Sequence, residues 1–565
     1  MNAIIPKTSS WTIPLFVGVV VAFPFLYAFF LKGGPVLFGN FASDAYHYLA
    51  IARKSMQYGM YTYDGLTVTN GFHPFWQYSL RGFLTLFNIK SQEQQAVTVL
   101  MLSLSAVTVG AMLTSAAIIR FTGQKYLGLL VVPGCFYLAI GVHGECLSIW
   151  QFVDGMESGF STLFGGIFYF VLSHVIKQPE SEHSFKEPEL LKICQVVGLL
   201  IPFIIFSRLD DVFIIPGFLA AILLTRTQFK DKIVAGLWIC VPAGVVISCY
   251  LIYNLLTVGA AMPLSGSTKS GFVGAMTLYL TTAIHFPPIV ELKNLLVAKQ
   301  SEGAQLYINR FRFVEMFYPL LIVIFGMLAM LEKRVISRLT FFCFGICGYI
   351  LIKAGFNFLF VHPWHQSIWY YAFISLSLTV LSSIVLGQLF RHVSLGKAGQ
   401  TGLIVIYCSL MLLLSASKFY QITATNPGDQ TAKLWEQKDY IYAQLKANQV
   451  TGLINVDDGI TAFLFDFPDM HGFAFATDTE AQKAYRNGKM LALATQRGIN
   501  TLTGAIYMPP LENAANLGSQ ELREYLKHTL AWDTMHGEAE NYTFSLAYYD
   551  NDTKLPFIKF EPVQK

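Results

Sequence analysis

Ionisable side chains in this sequence gather in short strings set between long apolar runs. The first reads Asp44-Ala-Tyr46-His47-Tyr-Leu-Ala-Ile-Ala-Arg53, followed by Asp64-Gly65 and by Asn70-Gly-Phe-His73-Pro74. Further along come Gly155-Met-Glu157 just after Asp154, Arg208-Leu-Asp210-Asp211, Pro263-Leu-Ser-Gly266 through Lys269, and His362-Pro-Trp364-His365. Such groups are expensive next to hydrocarbon and usually have a task there. A carboxylate so placed can take the proton of an attacking hydroxyl. Arginine, lysine and histidine can meet an anionic group, arginine best because it has a permanent charge and a fork of donors.

Each string also has a plainer reading. Ser43 or Asp44 can cap a helix whose apolar positions Tyr48, Leu49, Ile51 and Ala52 hold it against the membrane. Asp64 before Gly65, and the pair Asp457-Asp458 before Gly459, suit turns. Asn70 and His73 can shape the loop around Pro74, and Asp154 and Glu157 flank a span where the helix dipole favours them. Arg208, Asp210 and Asp211 can simply pair with one another. His362 and His365 have no identifiable third partner and are interrupted by Pro363, so a zinc site is not expected. Gly266-Ser-Thr-Lys269-Ser270 lacks the full phosphate-loop pattern, which excludes nucleotide hydrolysis there.

The elements that must position these residues follow from composition. Of 565 residues 54% are hydrophobic and 13% charged, against about 25% charged in soluble domains. A span needs roughly 20 apolar residues. Eleven runs qualify: 11–31, 95–118, 126–142, 158–175, 193–207, 211–225, 233–256, 313–331, 339–356, 370–390 and 400–420. Pro74 to Phe87 is short and contains Arg81, which fits a helix lying against the membrane. Arg120 with Lys125, Lys177 to Lys192, Arg226 to Lys232, Lys333 to Arg338 and Arg391 to Lys397 are the basic loops, hence cytoplasmic. The N-terminus is then inside, while the loops holding all the strings above, and everything after 421, are outside. Residues 421–565 carry 12 Lys+Arg against 18 Asp+Glu and turn residues between shorter patterns. The helical spacing of Thr431 to Asn448 and the strand-like runs Gly452 to Val456 and Asn541 to Tyr549 predict a small extracytoplasmic α/β domain. Seven of the eight cysteines lie in apolar runs, so no disulfide framework is expected.

The order of these strings resembles the C-type (GT-C) integral-membrane glycosyltransferases, the superfamily of protein O-mannosyltransferases and bacterial lipid A aminoarabinose transferases. The likeness covers about residues 11–420. It implies a polytopic α-helical enzyme of the cytoplasmic membrane, with residues 1–420 as the catalytic part, a first external loop at 32–94, and 421–565 as the soluble domain. It implies transfer of a sugar from a polyprenyl-phosphate donor to a glycan, lipid or protein acceptor, with inversion if a single displacement occurs; no nucleic-acid partner is expected. The family places its base in the first loop, which makes Asp44 the candidate. His47, Arg53, Asn70, His73, Asp154, Glu157, Arg208, Asp210, Lys269, His362, Trp364 and His365 are the candidate substrate-binding residues. The first loop lacks an Asp-x-Asp or Glu-x-Asp and the second offers Asp154-x-x-Glu157, so a divalent cation stays open and no other cofactor is expected. The rival reading is a transporter or flippase, since charged groups near membranes also mark substrate pathways.

Overall fold

The computed structural model describes residues 11–39, 41–137, 152–176, 187–265, 324, 326, 337–360, 368–392, 396–425, 429–456, 459–473, 476–504, 511, 517–529 and 531–563. Lys269, His362, Trp364, His365 and Asp457-Asp458 lie outside the described residues. Among those described, seven helices are long and apolar enough to cross a membrane: Thr12–Leu31, Gln92–Thr122, Ser158–Val175, Pro188–Ser207, Phe229–Val258, Arg338–Phe356 and Ala372–Arg391. Each falls on an expected span, and the chain is a multi-pass helical membrane protein. The run 400–420 lies inside a further helix, Lys397–Thr425. The run 126–142 begins as a 3-10 turn, Lys125–Leu130, followed by a helix, Val131–Tyr137. Nearly all of 313–331 lies outside the described residues.

One expected span takes a different form. Residues 211–225 are not one helix but a 3-10 turn, Leu209–Phe213, leading into Ile214–Leu224. The 11 helical residues rise about 17 Å at 1.5 Å each, and the five of the turn add about 10 Å at 2.0 Å each. Asp210 and Asp211 on that turn pair with Lys353 of the neighbouring helix.

Two non-spanning helices carry the first string. The loop helix Ser43–Tyr58 buries ten of its 16 residues and stops at Gly59, whose φ of 76° is left-handed. Its N-cap position is Ala42 rather than Ser43 or Asp44. The Ala42 N–H donates to the Asp154 carbonyl at 3.2 Å, and Asp44 sits in the first turn at the positive end of the helix. The second helix, Pro74–Leu86, buries Trp76, Leu80 and Leu84 and leaves Phe83 and Leu86 open.

After the last long helix the chain forms Asp429–Ala447 and a five-stranded sheet of order β2-β1-β3-β5-β4. The strands are β1 (Leu453–Asn455), β2 (Asp469–His471), β3 (Thr501–Thr503), β4 (Tyr542–Asp550) and β5 (Leu555–Pro562). β1 pairs in parallel with β2 and β3, while β5 is antiparallel to β3 and β4. Alternation along the strands gives the sheet two apolar faces. Leu453 and Phe557 join the cluster continuous with the membrane helices, whereas Ile454 and Ile558 join a second cluster with Met490, Leu522 and Leu526. The sheet therefore docks on the loop helix through its own hydrophobic layer. Hydrogen bonds fix the docking: Trp435 Nε1 to Tyr46 Oη at 3.0 Å, Lys54 Nζ to the Phe467 carbonyl at 3.1 Å, and Gln92 Nε2 to the Phe463 carbonyl at 2.8 Å.

Candidate functional site

The first turn of the loop helix meets the segment 152–158. Gly155, at φ 87°, lets that segment turn tightly, and a methyl group there would collide with the Ala45 side chain. Asp44, half-buried, thereby comes within charge range of Asp154, which is buried. Burial first, and then the charges of Glu157 and Asp44, push the Asp154 carboxyl well above its usual range, although the Met156 N–H donates to its Oδ1 at 3.2 Å.

That shift has a signed consequence for stability. At low pH both the folded and the unfolded carboxyl are protonated and nothing is lost. Above the unfolded value of about 3.9 the unfolded chain ionises while folded Asp154 keeps its proton, so this residue destabilises the fold increasingly until pH passes the folded value. Asp154→Asn is expected to raise the thermal midpoint over wild type at neutral pH and to lose that advantage near pH 4. Melting both proteins in detergent from pH 4 to 8 checks the pattern.

Glu157, fully buried, is the hub of the next layer. Tyr48 Oη donates to its Oε2 at 3.0 Å, Arg208 pairs with its Oε1, and His73 Nε2 lies 3.5 Å from the same oxygen. Burial, and then the charge of Glu157, push the Tyr48 phenol well above its usual value, so it remains a donor. His73 is held from its other side, where Nδ1 accepts the Leu209 N–H at 3.3 Å. Its own N–H donates to Tyr48 Oη at 3.3 Å.

From Glu157 a chain of charges continues. The Arg208 guanidinium stacks over Tyr370 at 4.1 Å from the ring centre. Its Nε lies 2.7 Å from Asp210 Oδ1, an ion pair whose angle is poor for a hydrogen bond. Burial opposes ionisation of Asp210, but the charges of Arg208, Lys353 and His73 outweigh it and hold the carboxyl down to about 2. The same two carboxylates, Asp210 and Glu157, raise the Arg208 value against the effect of burial, so Arg208 is permanently charged. Segments far apart in sequence thus meet at one end of the bundle: 44–48, 73, 154–157, 208–211 and 370.

Other candidates are placed elsewhere. His47 faces the sheet domain, with Nδ1 3.0 Å from Tyr63 Oη and its ring 4.5 Å from that of His471. Arg53 also faces that domain, close enough to feel the charge of Asp466. The Asn70 amide is spent on the chain itself: Nδ2 donates to the Ala260 carbonyl at 3.3 Å and Oδ1 accepts the Leu264 N–H at 3.2 Å. It fastens the start of the segment that leads to Lys269. Asp64 makes the turn expected of it, accepting the N–H groups of Leu66 and Thr67 at 2.8 Å each. It also joins a clamp with the sheet domain in which Arg497 reaches Asp64 at 3.1 Å and Asp478 at 2.6 Å. Sequence reasoning did not single out Tyr48, Tyr349, Lys353 or Tyr370. A lone lysine in an otherwise apolar run was the one available signal.

Among the described residues no group of three or more His, Cys, Asp or Glu side chains is arranged to hold a metal ion. Neither a family model nor a curated protein matches the sequence. Among solved structures, the archaeal oligosaccharyltransferase AglB from Archaeoglobus fulgidus, in complex with an inhibitory peptide and a dolichol-phosphate, aligns with 98% of this chain and 74% of its own. That alignment has 12% identity and a TM-score of 0.47. An Archaeoglobus fulgidus oligosaccharyltransferase in complex with zinc and sulfate aligns with 82% of this chain and 64% of its own, at 11% identity and a TM-score of 0.44.

Proposed function

We propose that the chain is a GT-C-type glycosyltransferase, taking a sugar from a polyprenyl-phosphate donor and passing it to a glycan, lipid or protein acceptor at the outer face of a cytoplasmic membrane. The observation that carries this reading is the convergence of Asp44 and Asp154 with His73, Glu157 and Arg208 at one end of an apolar helix bundle, beside helices that do not span.

In the reaction the acceptor oxygen bonds to the anomeric carbon as the carbon–phosphate-oxygen bond breaks. The bonding pair leaves on the phosphate, and the hydroxyl proton passes to the Asp44 carboxylate. Burial and the neighbouring carboxylates raise the Asp154 pKa, which disfavours a second negative charge beside Asp44. His73 is 22% exposed and Arg208 3%, so His73 offers the departing phosphate a direct contact while Arg208 supplies a fixed positive field behind it. Attack opposite the leaving group in one displacement inverts the sugar. The sheet domain, packed on the helix that carries Asp44, is positioned to bear on acceptor choice. Whether a divalent cation assists is a question for the same assay run with and without chelator.

The test is to supply membranes containing the protein with a panel of labelled polyprenyl-phosphate sugars and follow both products. Label transfer in step with release of free lipid phosphate is expected for at least one donor. Movement of intact donor lipid across the membrane, with no transfer for any sugar, would instead establish the transport reading.

A further inference from the structure

A charged amine inside an apolar span is stable only if it is paired. Lys353 lies in the helix Arg338–Phe360 with its side chain wholly buried. Its ammonium pairs with Asp211 and lies 3.3 Å from Asp210 Oδ2. Tyr349, one turn earlier on the same helix, donates to Asp211 Oδ1 at 2.5 Å. Neutralising one lysine needs one carboxylate, and Asp211 already supplies it. The second carboxylate, Asp210, faces two ways: one oxygen to Lys353 and the other to Arg208. Four buried charges and Asp210, 25% exposed, therefore alternate in sign, from Glu157 through Arg208, Asp210 and Lys353 to Asp211.

The helices beneath this chain of charges are locked together. A methyl group on Gly217 would collide with the Tyr349 amide and the Gly345 carbonyl, so Ile214–Leu224 runs in backbone contact with Arg338–Phe360. Asp210 and Asp211, on the turn just before that contact, are thus held at a fixed height against Lys353.

We propose that Lys353 is a positioning residue of the transfer site, holding Asp210 so that the Arg208 fork stays aimed at Glu157 and the space beside His73. The proposal rests on the glycosyl-transfer reading for its effect on turnover. Without the ammonium, Asp210 keeps Arg208 as its one strong partner in the chain of charges and is repelled by Asp211. It is then free to swing, carrying the guanidinium with it. A displacement of about 1 Å at such a group costs on the order of a hundredfold in rate.

The informative variant is the double substitution Lys353→Gln with Asp211→Asn, which removes one charge of each sign and leaves no orphan behind. It is expected to insert and melt like wild type, to lose about a hundredfold in kcat and to change donor KM little. Lys353→Arg is expected to restore most of kcat. Asp211→Asn alone, which keeps the Lys353–Asp210 contact, is expected to stay near wild type; a comparable loss there would put the role on Asp211 and overturn the proposal. Modification of Arg208 by phenylglyoxal, read by mass spectrometry with no donor present, is expected to speed up in the double variant and not in Lys353→Arg. Wild-type kcat in the double variant overturns the proposal, and so does a fall in kcat with Arg208 reactivity unchanged. Should wild type transfer no sugar from any donor, the glycosyl-transfer reading fails, and Arg208 reactivity alone still decides whether Lys353 positions it.

Discussion

Asp44→Asn is expected to lower sugar transfer by about a thousandfold while the protein inserts and melts as wild type, because removing a positioned general base costs 10²–10⁴ in rate. Asparagine keeps the shape of the side chain and can still accept hydrogen bonds, but it cannot take the acceptor proton. Asp44 is half-buried in the first turn of its helix, where asparagine fits the same space. The loss should fall on kcat, with donor KM nearly constant, since the base acts on the acceptor hydroxyl as the new bond forms. Initial rates over a range of donor concentrations, with a thermal melt of each preparation, separate the two effects. Residual transfer at a tenth of wild type or more would mean that Asp44 is not the base.

The largest effect on stability is expected at Glu157. Its carboxylate is fully buried, pairs with Arg208 and accepts from Tyr48 at 3.0 Å. Glu157→Leu leaves the buried guanidinium with Asp210 alone, and breaking a buried pair costs about 3–5 kcal/mol. Arg208→Met alone strands the carboxylate and should cost a similar amount. Glu157→Leu combined with Arg208→Met removes both charges and is expected to be more stable than either single variant. Denaturant unfolding of the four proteins in one detergent gives the coupling between the two residues. A double variant whose loss equals the sum of the singles would mean that the two groups do not act as a pair.

The spans were legible because hydrophobic runs of membrane length carry their own signal, and seven of the eleven correspond to long apolar helices among the described residues. The exception at 211–225 is instructive. The run begins with Asp211, which pairs with Lys353, a partner 142 positions away. No local pattern encodes that distance. The same holds for Tyr48, which sits on an apolar stripe of the loop helix and turns its hydroxyl to Glu157 across 109 positions. The strands β1 and β4 could be read from their apolar runs between turn residues, whereas the docking of the sheet on Tyr46 and Lys54 depends on partners more than 380 positions apart. The meeting of the strings at 44–48, 73, 154–157 and 208–211 was implied only by their shared side of the membrane. Their contacts come from helix packing.

The measurement that bears most directly on the central claim is photo-crosslinking with a polyprenyl-phosphate probe carrying a photoreactive group next to the phosphate, in membranes, with adducts mapped by mass spectrometry. The account predicts labelling within residues 43–48, 73–76, 154–157 and 208–211, and competition by unlabelled polyprenyl phosphate. Labelling that is competed but confined to the lipid-facing flanks of Thr12–Leu31 or Phe229–Val258 would place the lipid phosphate away from Asp44 and contradict it.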